Sequence, residues 1–300
     1  MTTALPTLPQ RLGAFASDIK LSHSVFAMPW AILATFMAAR ASPGGLPRAG
    51  QVVLILICMV LARTVAMAAN RVLDARLDAA NARTAGRAIP SGRLSVGFVT
   101  TMLLLCAAGF IAAAAGFGAL YGNWIPLAAS LPVLAWLCGY PLMKRFTRWC
   151  HYYLGAALAL APICAWVAIA GVVPIEPLLM AGAVLLWTAG FDILYACQDY
   201  DVDRASGLFS VPSRFGIARA LWIARGTHVV CVALLIALGF ASPLLGSIYF
   251  VGVAIAAALL IAEHSVVKPN DLSKLNLAFF TFNGIISLTV GALGLIDVFL

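Results

Sequence analysis

Two short runs of the chain set oxygen-bearing side chains at helical spacing: Asn70, Asp74 and Asp78 in "NRVLDARLD", and Asp199 and Asp203 in "DYDVD". Four residues along an α-helix advance about 6 Å and rotate only about 40°. Each run therefore stacks its donors along one stripe. Asp192 and Tyr195 stand seven and four residues before Asp199 and carry the second stripe deeper, whereas Asp201 points elsewhere, toward solvent. Stacked carboxylates repel one another unless a cation sits between them. Oxygen donors without imidazole or thiolate favour Mg2+ over zinc or copper. Mg2+ is commonly held by one or two carboxylates together with substrate phosphates. Two such clusters face to face could clamp a diphosphate through bridging metal ions.

The basic residues fit the same chemistry. Arg83, Arg87 and Arg93 follow the first run, and Lys144 and Arg145 lie in "YPLMKR"; such groups neutralise phosphate oxygens by charge-assisted hydrogen bonds. Arg63 precedes Asn70 by seven residues, on the same helix face and about 10 Å deeper. An arginine inside an apolar segment is costly and faces the bundle interior. Two readings follow: Arg63 partners a buried carboxylate such as Asp192, or it binds an anionic group of a second, smaller substrate. Lys20 and His23, near the start of the first apolar run, are candidates to line the same cavity. His151, His228 and His264 have no mutual metal spacing and read as satisfied polar groups at helix ends. The seven cysteines are scattered without metal-ligand spacing and read as free thiols. Nucleotide loops and nucleophile elbows are absent from the sequence.

The elements that must hold these residues are membrane helices. Hydrophobic residues make up 63% of the chain and charged residues 10%, against about 45–50% and about 25% in soluble domains. Lipid must cover that surface, and in lipid each backbone bond closes within its own helix. Segments of about 20 apolar residues fall at 22–40, 49–69, 95–116, 120–138, 151–170, 177–197, 218–239, 243–263 and 276–298. The fold class expected is all-α, a polytopic bundle of nine transmembrane helices forming one domain over 1–300, with four-helix pseudo-repeats over 22–140 and 150–265. The first span is longer than a signal-peptide core and is expected to stay. With this division, sixteen of nineteen lysines and arginines fall on the side of the N-terminus, Arg40 and Arg48 on the other, and Arg63 within a span. By the positive-inside rule the N-terminus and both acidic clusters are cytoplasmic. The net charge of +8 is thus a topology signal, and no nucleic acid is implied. An ion or metabolite transporter would place its site near the bilayer midplane, whereas these clusters lie at helix ends.

"NRVLDARLD", "DYDVD" and "YPLMK" fit the NxxxDxxxD, DxxxD and YxxxK motifs, and the chain resembles the UbiA superfamily of intramembrane prenyltransferases over about residues 18–220. The stretches "NARTAGRAIPSGRLS" and "DILYACQDYDVDRASGLFSVPSRFG" are most similar to its 4-hydroxybenzoate polyprenyltransferase branch. The resemblance implies a cavity open to lipid, capped by metal-bound diphosphate. Asn70, Asp74, Asp78, Asp199 and Asp203 would hold Mg2+ and diphosphate, and Tyr140 and Lys144 would support the departing diphosphate. It implies a polyprenyl diphosphate donor, a small aromatic acceptor and no obligate protein partner. Arg71 and Ala82 depart from the family pattern, as do Lys20 and His23 where an Arg-Pro pair is common. The "NRxxD" form is more similar to a sub-branch that prenylates a hydroxynaphthoate for menaquinone.

Overall fold

The computed structural model describes residues 7–20 and 26–300. His23 lies outside the described residues. The chain forms α1 (Leu8–Asp18), α2 (Met28–Arg40), α3 (Ala49–Leu73), α4 (Ala75–Ala80), α5 (Val96–Tyr121), α6 (Ile125–Gly139) and α7 (Cys150–Ala170). It continues through α8 (Ile175–Ala196), α9 (Tyr200–Ala205), α10 (Val211–Phe215), α11 (Ile217–Ala241), α12 (Ser247–Val266) and α13 (Asn283–Phe299). Among the described residues the only bridge outside helices is an isolated one between Lys268 and Asp271. The all-α expectation holds.

Among the described residues, eight helices are long and apolar enough to cross a membrane. Nine spans were expected. The remaining one, α2, has 13 residues and rises only about 20 Å; the start of the expected span at 22–25 falls outside the described residues. Side chains such as Leu104, Leu131, Phe240 and Ile261 are more than half exposed on the bundle's outer faces. Helices apolar all round belong in lipid, so this is an integral membrane protein.

α5 continues to Tyr121, five residues past the expected end of that span at 116. With the expected spans ending at 116 and beginning at 120, "GFGALYGNW" is expected to hold a tight turn between them. Gly116 instead takes the Leu54 side chain, and Gly118 lies against the Trp124 ring, where a Cβ would collide. The turn comes at Gly122, whose φ of 77° ends the helix. Glycine also lets α7 approach α8, since a Cβ on Gly155 would meet the Leu185 carbonyl.

α8 packs between α7 and α11, while α3 pairs with α5. The main core joins α2, α7, α8 and α11–α13 through fully buried Trp30, Trp166, Trp187 and Tyr249. On the other flank, α1 packs Phe15 and Ile19 against Ala68, Ala88, Leu94 and Val99. No span is expected in this N-terminal segment, since the first begins at residue 22. Its start is fixed by the Thr7 N–H donating to Gln10 Oε1 at 2.9 Å, and Pro9 suits the first turn.

Candidate active site

α3 ends at Leu73 rather than running straight through to residue 78. The break is local. Asp74 N–H donates to the Asn70 carbonyl at 3.0 Å and Asp78 N–H to the Asp74 carbonyl at 2.8 Å. Because both four-residue bonds survive, Asn70, Asp74 and Asp78 keep their common stripe. Asn70 Nδ2 also donates to Asp74 Oδ2 at 2.9 Å.

Cations cover each carboxylate of this stripe. Asp74 is 1% exposed and takes Lys144 Nζ at 2.7 Å and Arg145 Nη2 at 3.3 Å. Arg87 Nη1 donates to both Asp78 oxygens at 2.7 Å. A buried carboxylate left unpaired would cost several kcal/mol, which accounts for this close pairing. Lys144 and Arg145 reach the site because the "YPLMKR" segment forms a tight 3₁₀ turn, Tyr140–Arg145, after α6.

The second stripe sits on a short 3₁₀ turn, Cys197–Asp199, and on α9. Arg83 crosses to it from the loop after α4, its Nε donating to Asp199 Oδ1 at 2.9 Å and its Nη2 to Asp199 Oδ2 at 2.5 Å. Asn81 Nδ2 donates to Asp199 Oδ1 at 2.9 Å. Burial works against the Arg83 charge, but its hydrogen-bonded partner Asp199 outweighs burial and holds the guanidinium above its ordinary value. Asp203 accepts from Ser210 Oγ at 2.8 Å, and Asp201 is exposed as expected. Arg83 also lies over the Tyr195 ring, 5.6 Å from its centroid. The two acidic segments therefore border one cleft, roofed by basic side chains.

An apolar cavity of about 390 Å3 lies between α3, α5, α6 and α7. Arg63, Tyr140 and Ser130 are the polar residues among those lining it. Tyr140 links cavity and cleft, lining the one and beginning the turn whose Lys144 and Arg145 reach Asp74 in the other. Arg63 does not partner Asp192. Its Nη2 donates to the Lys20 carbonyl at 3.3 Å, and among the described residues its buried Nε has no hydrogen-bond partner. Asp192 pairs instead with His151, whose Nδ1 lies 2.7 Å from Asp192 Oδ2. The Lys20 ammonium stacks over Phe280. Burial lowers its pKa below the ordinary lysine value, and Arg71, Arg87 and Arg83 lower it further.

With this arrangement in place, the wider comparison is decisive. The UbiA prenyltransferase family model matches residues 29–285. The chain belongs to the UbiA prenyltransferase family. The 4-hydroxybenzoate octaprenyltransferase of Xanthomonas euvesicatoria pv. vesicatoria is 28% identical to this UbiA chain over 281 residues, covering 92% of it and 89% of the relative. The apo structure of a UbiA homologue from Aeropyrum pernix K1 is 30% identical, with a TM-score of 0.82 over 93% of this chain and 99% of that one. A UbiA homologue from Archaeoglobus fulgidus bound to DMAPP and Mg2+ shares the fold at 22% identity, with a TM-score of 0.66 over 95% and 99%.

Four residues of this UbiA site escaped the sequence reading. Asp18 ends α1 and holds Arg71, accepting from its Nε at 3.0 Å on Oδ2 and from its Nη2 at 2.9 Å on the carbonyl. Its Oδ1 accepts from Ala88 N–H at 2.9 Å. Arg71 in turn donates from Nη1 to Asn70 Oδ1 at 2.9 Å. The departure at Arg71 is thus built into the support of Asn70. Asp18 did carry a signal, being the only acidic residue before Asp74. Asn81, His151 and Ser210 carried none that spacing could detect.

Proposed function

We propose that this UbiA enzyme transfers a polyprenyl group from polyprenyl diphosphate to a small aromatic hydroxy acid of the 4-hydroxybenzoate type. The observation that carries the reading is continuity. A cleft of paired carboxylates and cations connects through Tyr140 to an apolar cavity that presents one arginine. The cleft suits a diphosphate, the apolar walls suit an isoprenoid, and Arg63 suits the carboxylate of the acceptor. Its similarity to a 4-hydroxybenzoate octaprenyltransferase and a 4-hydroxybenzoate polyprenyltransferase supports this assignment.

No preassembled group of three His, Cys, Asp or Glu side chains suited to a metal occurs among the described residues. The donor set nevertheless fits Mg2+, which takes few protein ligands and completes its shell from phosphate and water. Asn70, Asp74, Asp78, Asp199 and Asp203 are hard oxygen donors on two segments of one cleft. They would hold the ion, which when bound stabilises charge on the departing diphosphate. DMAPP and Mg2+ in the Archaeoglobus fulgidus homologue support this choice.

The chain's own groups supply the rest. Arg83, Arg87, Lys144 and Arg145 turn from carboxylates to phosphate oxygens, fixed donors where negative charge develops. Tyr140 donates toward the leaving group. The apolar walls keep water from the allylic cation, which the ring attacks ortho to its hydroxyl. By the positive-inside count the cleft faces the cytoplasm. A second reading keeps the reaction and changes the acceptor to a hydroxynaphthoate; the observation favouring it is Arg71 directly after Asn70.

The test is prenyl transfer in isolated membranes with a polyprenyl diphosphate and Mg2+, offering 4-hydroxybenzoate and a hydroxynaphthoate separately. EDTA and the Asp74→Asn variant serve as controls. Product with the benzoate supports the first reading, and product with the naphthoate alone moves the enzyme to the second. Turnover unaffected by EDTA and by Asp74→Asn would refute both.

A further inference from the structure

Joining a prenyl carbon to an aromatic ring leaves one proton to be removed. The new C–C bond takes an electron pair from the ring, and the C–O bond to diphosphate breaks with its pair leaving on oxygen. The ring carbon then carries both prenyl group and hydrogen. Loss of that hydrogen as a proton returns the C–H pair to the ring and restores aromaticity. Water is excluded from the cavity, and in this reading the diphosphate oxygens are taken up by Arg83, Arg87, Lys144 and Arg145, so a protein group receives it.

Most carboxylates of the site are poorly placed for this. Asp74, Asp78, Asp199 and Asp203 are the donors this reading assigns to the metal ion; in the free protein the first three are clasped by guanidinium or ammonium groups and Asp203 is bonded by Ser210. Glu263 belongs to a separate buried network with Asn283. Asp192 differs, since among the described residues its one hydrogen-bond partner is an imidazole. His151 is 2% exposed, and its Nε2 accepts the Val211 N–H at 3.1 Å. That bond fixes the tautomer: the proton sits on Nδ1, which donates to Asp192 Oδ2 at 2.7 Å. Neutral imidazole orients the carboxylate without cancelling its charge, and among the described residues Oδ1 has no hydrogen-bond partner. Asp192 lies on α8 about 10 Å deeper than Asp199 in the turn that follows, and its side chain is 25% exposed although its imidazole partner is buried.

We infer that Asp192 is the general base that takes the ring proton, and that His151 is its positioning residue. The inference rests on the prenyl-transfer reading and adds the proton's destination. It requires only that the acceptor ring lie between Arg63 and Asp192, on the cleft side of the cavity.

The test uses the full-length protein in lipid nanodiscs and whichever acceptor turns over, with hydrogen or deuterium ortho to its hydroxyl. Wild type should show almost no isotope effect, because C–C formation is slower than proton loss. Asp192→Asn should lower kcat by roughly a hundredfold or more and bring out an isotope effect clearly above unity, with KM for the prenyl diphosphate unchanged. His151→Gln should show a smaller loss and a partial isotope effect. An Asp192→Asn variant that keeps its turnover overturns the assignment, as does one that slows without an isotope effect. In both cases wild-type prenyl transfer would leave the parent reading standing. Absence of prenyl transfer from wild type would overturn the parent reading and this one with it.

Discussion

Arg83 and Asp199 close the cleft from opposite sides, Nε and Nη2 of one meeting Oδ1 and Oδ2 of the other at 2.9 and 2.5 Å. The bond joins the loop after α4 to the turn after α8, so it records that the two acidic segments share a site. Arg83 is 35% exposed, and its pairing contributes little to folding. Its value should appear in substrate binding. Arg83→Ala should raise KM for polyprenyl diphosphate about tenfold or more, since a charge-assisted hydrogen bond is worth roughly 1.5–3 kcal/mol. Thermal stability in detergent should change little. Steady-state kinetics with varied diphosphate check this, and an unchanged KM would remove Arg83 from the site.

The acidic stripes were legible in the sequence because a four-residue spacing survives a local helix break as long as the backbone bonds across it hold. The span pattern was legible for the same reason that it exists, the demand of lipid for apolar helices. Partner choice was not. Arg71 with Asp18, Asp192 with His151 and Asn81 with Asp199 are separated by 53, 41 and 118 residues. Periodicity fixes which face of a helix a residue occupies but not which helix packs opposite. Hence the sequence offers Asp192 as a partner for Arg63, and His151, satisfied at the start of α7 as expected, gives no sign that its partner is Asp192.

Arg63 has a buried Nε without a partner among the described residues and lines the cavity wall. Such a group binds an anion more readily than it stabilises the fold. Arg63→Gln should raise KM for the aromatic acceptor by about tenfold to a hundredfold, leaving KM for the prenyl diphosphate nearly constant. Kinetics with each substrate varied in turn separate the two. Equal effects on both would show that Arg63 serves the cleft as a whole.

Lys20 provides a pH test. Burial, then Arg71, Arg87 and Arg83, lower its pKa below 10.5, so the folded protein releases this proton before the unfolded chain does. Between the lowered value and 10.5 the unfolded state binds more protons, and folding stability therefore rises with pH. Lys20→Met should flatten that part of the profile, with the largest gain in stability below the lowered pKa. Melting temperatures of both proteins in detergent from pH 7 to 11 provide the comparison. Parallel profiles would show that Lys20 does not feel the arginines.

Asn283 is the polar hinge pin of the opposite flank. Trp187 Nε1 donates to its Oδ1 at 2.7 Å, and its Nδ2 donates to Glu263 Oε1 at 2.8 Å, joining α8, α12 and α13. Asn283 and Glu263 are both fully buried. In Asn283→Leu both of these bonds are lost, and each stranded polar group costs about 1–3 kcal/mol. The variant should melt at a clearly lower temperature, while the protein that folds keeps its KM values. Replacing Glu263 by Leu in the same chain removes one stranded group and should restore part of the loss. If Asn283→Leu melts like wild type, the network contributes packing alone and its hydrogen bonds are energetically neutral.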